Sequence, residues 1–154
     1  MNITCPLAYK LFLMNKTEFT HQVREEARRL GFEGCGFAQA GFMEDEARRL
    51  EDWLRNDKHG KMQWMENHFE KRVDPTKLVP GAKTVVSVLC SYHQPEMARQ
   101  HIADEKHPKI SKYALGEDYH FVMKDKLYQL FEFTKGLNGG LEGRVFVDSA
   151  PVMD

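Results

Sequence analysis

Cysteine is scarce in this chain: Cys5, Cys35 and Cys90 are the only three in 154 residues, and no C-x-x-C pair occurs. Thiols so far apart cannot by themselves build an iron–sulfur cluster or a zinc site. An odd count without a regular framework points to a reducing compartment rather than a disulfide-stapled scaffold. Long apolar runs are also missing, and nothing approaches the roughly 18 apolar residues that a membrane-spanning helix needs. Neither sign of charge is in excess, with 22 Lys and Arg against 23 Asp and Glu for a formal net charge of -1. That balance removes any global electrostatic case for nucleic-acid binding and leaves room only for a local basic patch. Residues 1–13 lack the basic leader and small-residue cleavage site of a signal peptide, so the expected location is cytoplasmic. Met14 directly precedes a helix start, which suits an extension, disordered or arising from a misassigned start, over 1–13.

What is present fits one ordinary domain. The length suffices for one core and is short for two. Thr17 is expected to cap a helix with Phe19, Val23, Ala27 and Leu30 at helical spacing and Gly31 as its stop. The Gly-interrupted stretch from Phe32 to Ala40 suits a buried strand. Met43, Ala47, Leu50 and Leu54 share one face of a second helix with Trp53 beside it, and Met62, Met65 and Phe69 mark a shorter third after Gly60. After the Leu78-Val79-Pro80-Gly81 turn, the nearly continuous apolar run Thr84–Leu89 predicts a strand covered on both faces. Residues 93–109 form a polar excursion, and a long helix is expected from about Asp118 to Gly136, with Met123, Leu127, Leu130 and Phe131 inward. Gly139-Gly140 then turns the chain into Arg144–Val147, read as a second short buried strand. The predicted fold class is α/β: a single domain over 14–154 with a central, mostly buried sheet flanked by helices.

Three segments carry residues able to do chemistry. Asp148 follows a predicted buried strand at its carboxyl end, where open α/β sheets bind ligands. A partly desolvated carboxyl group there would tend toward a raised pKa, as a general acid near neutral pH requires. On spacing alone a helix cap is the commoner role, because Asp148-Ser149-Ala150-Pro151 reads as a helix start. With the helix itself missing, the expectation is that the polypeptide continues and this chain is a fragment. The second segment is Ser111-Lys112-Tyr113-Ala114-Leu115-Gly116-Glu117-Asp118-Tyr119-His120. Its tyrosines can stack, its Gly permits close approach, and its Lys and His can donate hydrogen bonds to a large amide-decorated ligand. A loop running into a helix capped by Asp118 explains it equally well. Third, Arg72 in Glu70-Lys71-Arg72-Val73-Asp74-Pro75 can hold a phosphate or carboxamide with its planar fork, or simply complement a helix C-terminus. His93, His101 and His107 are too irregular for metal ligands and suit a solvated surface, so no metal site is expected within the chain. Lys106, Lys109 and Lys112 make a candidate RNA-facing patch, and the methionines are read as core or pocket filler.

In order along the chain, the motifs are Leu30-Gly31-Phe32, His59-Gly60-Lys61-Met62, Glu70-Lys71-Arg72, Leu78 through Val88, Tyr113-Ala114-x-Gly116-x-Asp118-Tyr119-His120 and Val147-Asp148-Ser149-Ala150-Pro151-Val152. This set resembles the amino-terminal domain of epoxyqueuosine reductases, oxidoreductases of tRNA processing and queuosine biosynthesis. The likeness spans roughly Thr17 to Asp154.

The resemblance implies reduction of epoxyqueuosine to queuosine at the wobble position of tRNA. It implies a cobalamin cofactor, with cobalt as its redox centre, in a domain similar to cobalamin-processing and flavin-reductase-like folds. Two 4Fe–4S clusters are expected only in a further iron–sulfur domain that this chain lacks, so the fragment alone is expected to be inactive. Carried over by position, the proton donor falls on Asp148, which also faces the cofactor. Arg72, Ser111, Tyr113, Tyr119 and His120 fall in the cobalamin site. The implied partner is tRNA carrying epoxyqueuosine; the electron donor is not identified, no membrane is involved, and nothing demands more than a monomer. The alternative function is a stand-alone corrinoid-binding or processing module without reductase activity.

Overall fold

The structure, a computed structural model, describes residues 15–92, 111–114 and 116–148. Helices α1 (Lys16–Arg29), α2 (Glu44–Arg55), α3 (Phe69–Val73), α4 (Pro75–Leu78) and α5 (Tyr119–Leu137) join strands β1 (Gly34–Gln39) and β2 (Thr84–Leu89). Short 3₁₀ turns occupy Gln63–Met65 and Lys112–Ala114. The chain divides into two units, one of Met1–Cys35 with Val88–Val145 and the other of Gly36–Ser87 with Phe146–Asp154. The fold is therefore mixed helix and strand, in keeping with its predicted class.

In the first unit α1 packs against α5, burying Val23 and Ala27 from one helix and Leu130 and Thr134 from the other. Asn15 caps α1, its side-chain oxygen accepting the Glu18 N–H at 2.8 Å. Thr17, the cap expected from sequence, lies inside the helix instead. Asn is as good a cap, and with it the helix starts two residues earlier than expected. At the other end the Gly31 N–H donates to Arg28 O at 2.9 Å and the Phe32 N–H to Ala27 O at 3.0 Å. This is the paired closure of a Schellman motif, and it requires the left-handed φ of +85° that Gly31 adopts. It turns the chain so that Phe32 is buried directly after the helix.

In the second unit, α2 buries Ala47 and Leu50, which pack with Val73 from α3. Trp53, Leu54, Met65 and Phe69 close around them. The expected third helix is divided: His68 takes a left-handed φ of +59°, separating the Gln63–Met65 turn from α3. Its carbonyl then accepts from the Lys71 and Arg72 N–H groups and starts the new helix. Burying Val23 or Val73 is worth roughly 1.5–3 kcal/mol each. Exposed i,i+4 pairs such as Arg55–Glu51 are worth about 0.3–0.5 kcal/mol. The apolar contacts therefore decide the helix packing.

The sheet departs from expectation. It has two strands, and the pairs Glu33 N–H to Leu89 O and Ala40 N–H to Lys83 O make them antiparallel. Val86 is 41% and Leu89 63% exposed, so β2 is not covered on both faces. A run of β-branched residues suits any pleated strand, whereas burial depends on layers that a local pattern does not specify. Close backbone approach does occur at Gly34, where a Cβ would lie 3.3 Å from Leu89 Cβ. Arg144–Val147, read as a strand, takes no regular secondary structure, and its apolar side chains are only half-buried. The helix start read at Ser149–Pro151 and the segment 93–109 lie outside the described residues.

Asp118 caps α5 by accepting the His120 N–H at 2.9 Å, and this bond holds its carboxyl below the usual carboxylate range. A carboxyl group lowered in this way contributes stability above its unfolded pKa, lost as pH falls through its folded one. Asp118→Ala should lower the thermal midpoint at neutral pH, and the gap from the parent should close only below the ordinary carboxylate range. Gly31→Ala should cost about 1–2 kcal/mol in urea unfolding, from the left-handed backbone it must keep.

Candidate functional site

The first unit gathers part of the predicted constellation into one aromatic cluster. The Ser111 carbonyl accepts the Ala114 N–H at 2.9 Å and closes the 3₁₀ turn that carries Tyr113. Gly116 then takes a φ of +109°, a conformation open to glycine and few others, and the chain enters α5 at its Asp118 cap. Through this bend Tyr113 meets Tyr119 edge-on, with ring centroids 6.1 Å apart and planes at 88°. Tyr119 in turn stacks on His120 at 4.1 Å and 29°. Asp118 Oδ1 lies 2.7 Å from His120 Nδ1, which fixes the imidazole that Tyr119 covers. The capped-helix reading of this segment is thus realised, and the same bonds orient its rings.

Sequence reasoning missed one member. Tyr92 stands edge-on to Tyr113 at 6.4 Å and 79°, three residues beyond β2. Tyr92 is 63% and Tyr113 54% exposed, so the cluster presents aromatic surface to solvent. Nothing local to Tyr92 signals this, because the contact joins residues from distant parts of the chain.

Arg72 belongs to the second unit. Only 9% exposed, it donates from Nε to Asn67 O at 3.2 Å and from Nη2 to Trp64 O at 3.3 Å. Its Cζ lies 5.5 Å from the centre of the Trp64 ring. No carboxylate pairs with it among the described residues. Two of its five N–H groups account for these bonds, and the remaining donors can serve a carbonyl or an anion. Asp148 is assigned to the same unit, at a φ of +20°. It is exposed, where the sequence pointed to partial desolvation. The burial inferred for it depended on the strand that does not form over Arg144–Val147.

In the same unit His59 is buried at 6% exposure, with its Nε2 2.9 Å from Glu66 Oε1. Its Nδ1 is buried with no hydrogen-bond partner. Cys35 and Cys90 are free thiols, and burial pushes the Cys35 thiol up, so it is a poor nucleophile near neutral pH. Among the described residues no three His, Cys, Asp or Glu side chains gather as metal ligands, and no helix is long and apolar enough to cross a membrane. His93, His101, His107, Lys106 and Lys109 lie outside the described residues, as does the side chain of Lys112. An open cleft between α1 and α5, lined by Leu30, Phe121 and Lys126 among others, contains none of the predicted site residues.

Comparison with known proteins gives this arrangement a context. The family profile described as "Epoxyqueuosine reductase QueG, DUF1730" matches residues 72–149, from Arg72 to the residue after Asp148. An epoxyqueuosine reductase of Leadbetterella byssophila is 52% identical over 137 residues, covering 89% of this chain and 44% of the relative. One from Cyclobacterium marinum is 52% identical over 136 residues, 88% of this chain and 43% of the relative. The chain therefore spans less than half the length of these curated relatives. A crystal structure of epoxyqueuosine reductase with an epoxyqueuosine-modified tRNA-Tyr stem loop superposes with a TM-score of 0.73. At 23% identity it covers 91% of this chain and 37% of that one, and the likeness establishes the fold. With half of its length matched by the family profile and its motifs in the family's order, this chain belongs to the epoxyqueuosine reductase family.

Proposed function

We propose that this chain is the cobalamin-binding, proton-donating part of an enzyme that reduces epoxyqueuosine to queuosine at the wobble position of tRNA. The carrying observation is its identity of about half with reductases of that name over nearly its whole length. The tRNA substrate is supported by the solved relative bound to a modified stem loop.

Removing an epoxide oxygen as water and leaving a carbon–carbon double bond takes two electrons and two protons. The oxygen leaves as a developing alkoxide, and a proton donor beside it lowers that barrier. Asp148 is the residue assigned to hold that proton on its carboxyl oxygen. Cobalamin, when bound, supplies redox chemistry at cobalt. The residues suit such a group in kind. In the first unit Tyr113, Tyr119 and His120 offer ring surface and Ser111 a short polar flank. In the second unit, taken by itself, Arg72 keeps unspent guanidinium donors of the kind a carboxamide accepts from. Electrons are expected to arrive from 4Fe–4S clusters outside these residues.

The test is conversion of an epoxyqueuosine-containing anticodon stem loop by the reductase that carries this sequence, followed by mass analysis of the released nucleosides. Asp148→Asn should abolish queuosine formation while the corrinoid absorption spectrum of the bound state remains. An Asn variant that turns over as fast as the parent removes Asp148 from the proton-donor role. Loss of the bound-state spectrum in Arg72→Ala, with the fold intact by circular dichroism, is the expected result for a cofactor-holding arginine.

A further inference from the structure

Residues 58–72 in the second unit hold an exposed indole on a pinned turn. Trp64 is 57% exposed and Met62 43%, yet the backbone beneath them is fastened from two sides. Arg72 binds the carbonyls of Trp64 and Asn67 and lies under the indole. His59 holds Glu66 while its ring leans on Trp53, 5.8 Å away. Two buried polar side chains thus border a turn that sends Met65 to the core and leaves Met62 and Trp64 facing water. The buried, unpartnered Nδ1 of His59 means that this shape is kept although one polar atom goes unsatisfied. Such pinning lowers the entropy that an aromatic contact must lose on binding.

The charges around this turn differ from those on α2. There Arg48, Arg49 and Arg55 each pair with an acid one turn away. Lys58, Lys61 and Lys71 have no ion pair among the described residues, and Glu66 is already engaged by His59. The segment carries Lys58, Lys61, Lys71 and Arg72 against Glu66 and Glu70, a local positive excess in a chain that is neutral overall. Unpaired lysines interleaved with an exposed aromatic ring are the composition of a surface for single-stranded nucleic acid, in which a base stacks and ammonium groups follow the phosphates.

We propose that Trp64, with Lys58 and Lys61 beside it, is a docking surface for an unstacked base of the RNA loop that the enzyme acts on. This rests on the tRNA reading above and assigns the contact to Trp64, Lys58 and Lys61, which carry neither the cofactor nor the proton-donor role. It draws on other residues than the lysines at 106–112 to which the sequence alone pointed.

Fluorescence anisotropy of the intact protein with a labelled, unmodified anticodon stem-loop RNA tests it. Trp64→Ala should raise Kd roughly tenfold to a hundredfold, and Trp64→Phe should keep most of the affinity because a ring face remains. The double variant Lys58→Ala/Lys61→Ala sits at exposed positions and should flatten the dependence of log Kd on log salt, by about 0.7 for each phosphate that is no longer neutralised. Unchanged Kd in Trp64→Ala overturns the proposal. So does an equal loss of affinity for fully duplex RNA, absence of RNA binding by the parent, or a response of Trp64 variants to hydroxocobalamin and none to RNA. The reductase reading is judged separately by queuosine formation: parent-like RNA binding by Trp64→Ala together with normal turnover sinks the surface alone. Weakened binding by these variants in a protein that never forms queuosine sinks the reductase reading and leaves the surface standing.

Discussion

A buried guanidinium organises the second unit. Moving an arginine out of water costs several kcal/mol unless its donors find partners, and Arg72 finds two backbone carbonyls, those of Trp64 and Asn67. Both belong to the stretch between α2 and α3, where the Trp64 carbonyl also accepts the Asn67 N–H at 3.2 Å. Arg72 thereby satisfies the turn and is satisfied by it. Its neighbour Val73 fills the core against Ala47 and Leu50, and the Val73 carbonyl accepts the Met43 N–H at 2.8 Å just before α2. One short helix therefore ties the entry of α2, the core and the turn of Trp64 together. A change at Arg72 would disturb all three, which is why a cofactor role for it has to be separated from folding.

The surface charges do little of this work. The ion pairs of α1 and α2 lie along single helices, between residues one turn apart and mostly exposed. They steady the helix that bears them and specify nothing about its neighbours. Specific contacts come instead from a few buried side chains and from backbone groups closed at helix ends. The Schellman closure at Gly31 and the Asp118 cap set where α1 ends and α5 begins.

Much of this was legible in the sequence where periodicity and end signals act locally. Val23 and Ala27 on α1, Ala47 and Leu50 on α2, and Leu130 on α5 are buried as their spacing indicates. Gly31 and Asp118 terminate helices as their chemistry favours. The sheet was harder to read, because an apolar run states that a strand is favourable and says nothing of what covers it; Val86 and Leu89 remain exposed. The break at His68 was hidden too, since a left-handed histidine is disfavoured locally and persists only through its surroundings. At the candidate site, Tyr113, Tyr119 and His120 were recognisable from their order. Tyr92 and the pinned Trp64 were not, since each depends on contacts or exposure that only the folded chain defines.

The segment from Ser111 to His120 shows why structural and functional readings of a residue need not compete. Its sequence suits a helix cap at Asp118 and a ligand loop equally, and the Asp118 carboxylate does cap α5. The same oxygen contacts the His120 imidazole, and His120 is the ring on which Tyr119 stacks. The cap also holds the Asp118 carboxyl below its ordinary range, so the imidazole keeps its anionic partner to lower pH than an uncapped carboxyl would allow. The ring orientation is therefore set by the helix terminus itself and needs no ligand to establish it. A binding surface prepared in this way loses less entropy when a ligand arrives than one assembled on contact. The cap is thus the physical means by which the His120 ring, and Tyr119 stacked on it, are held in place.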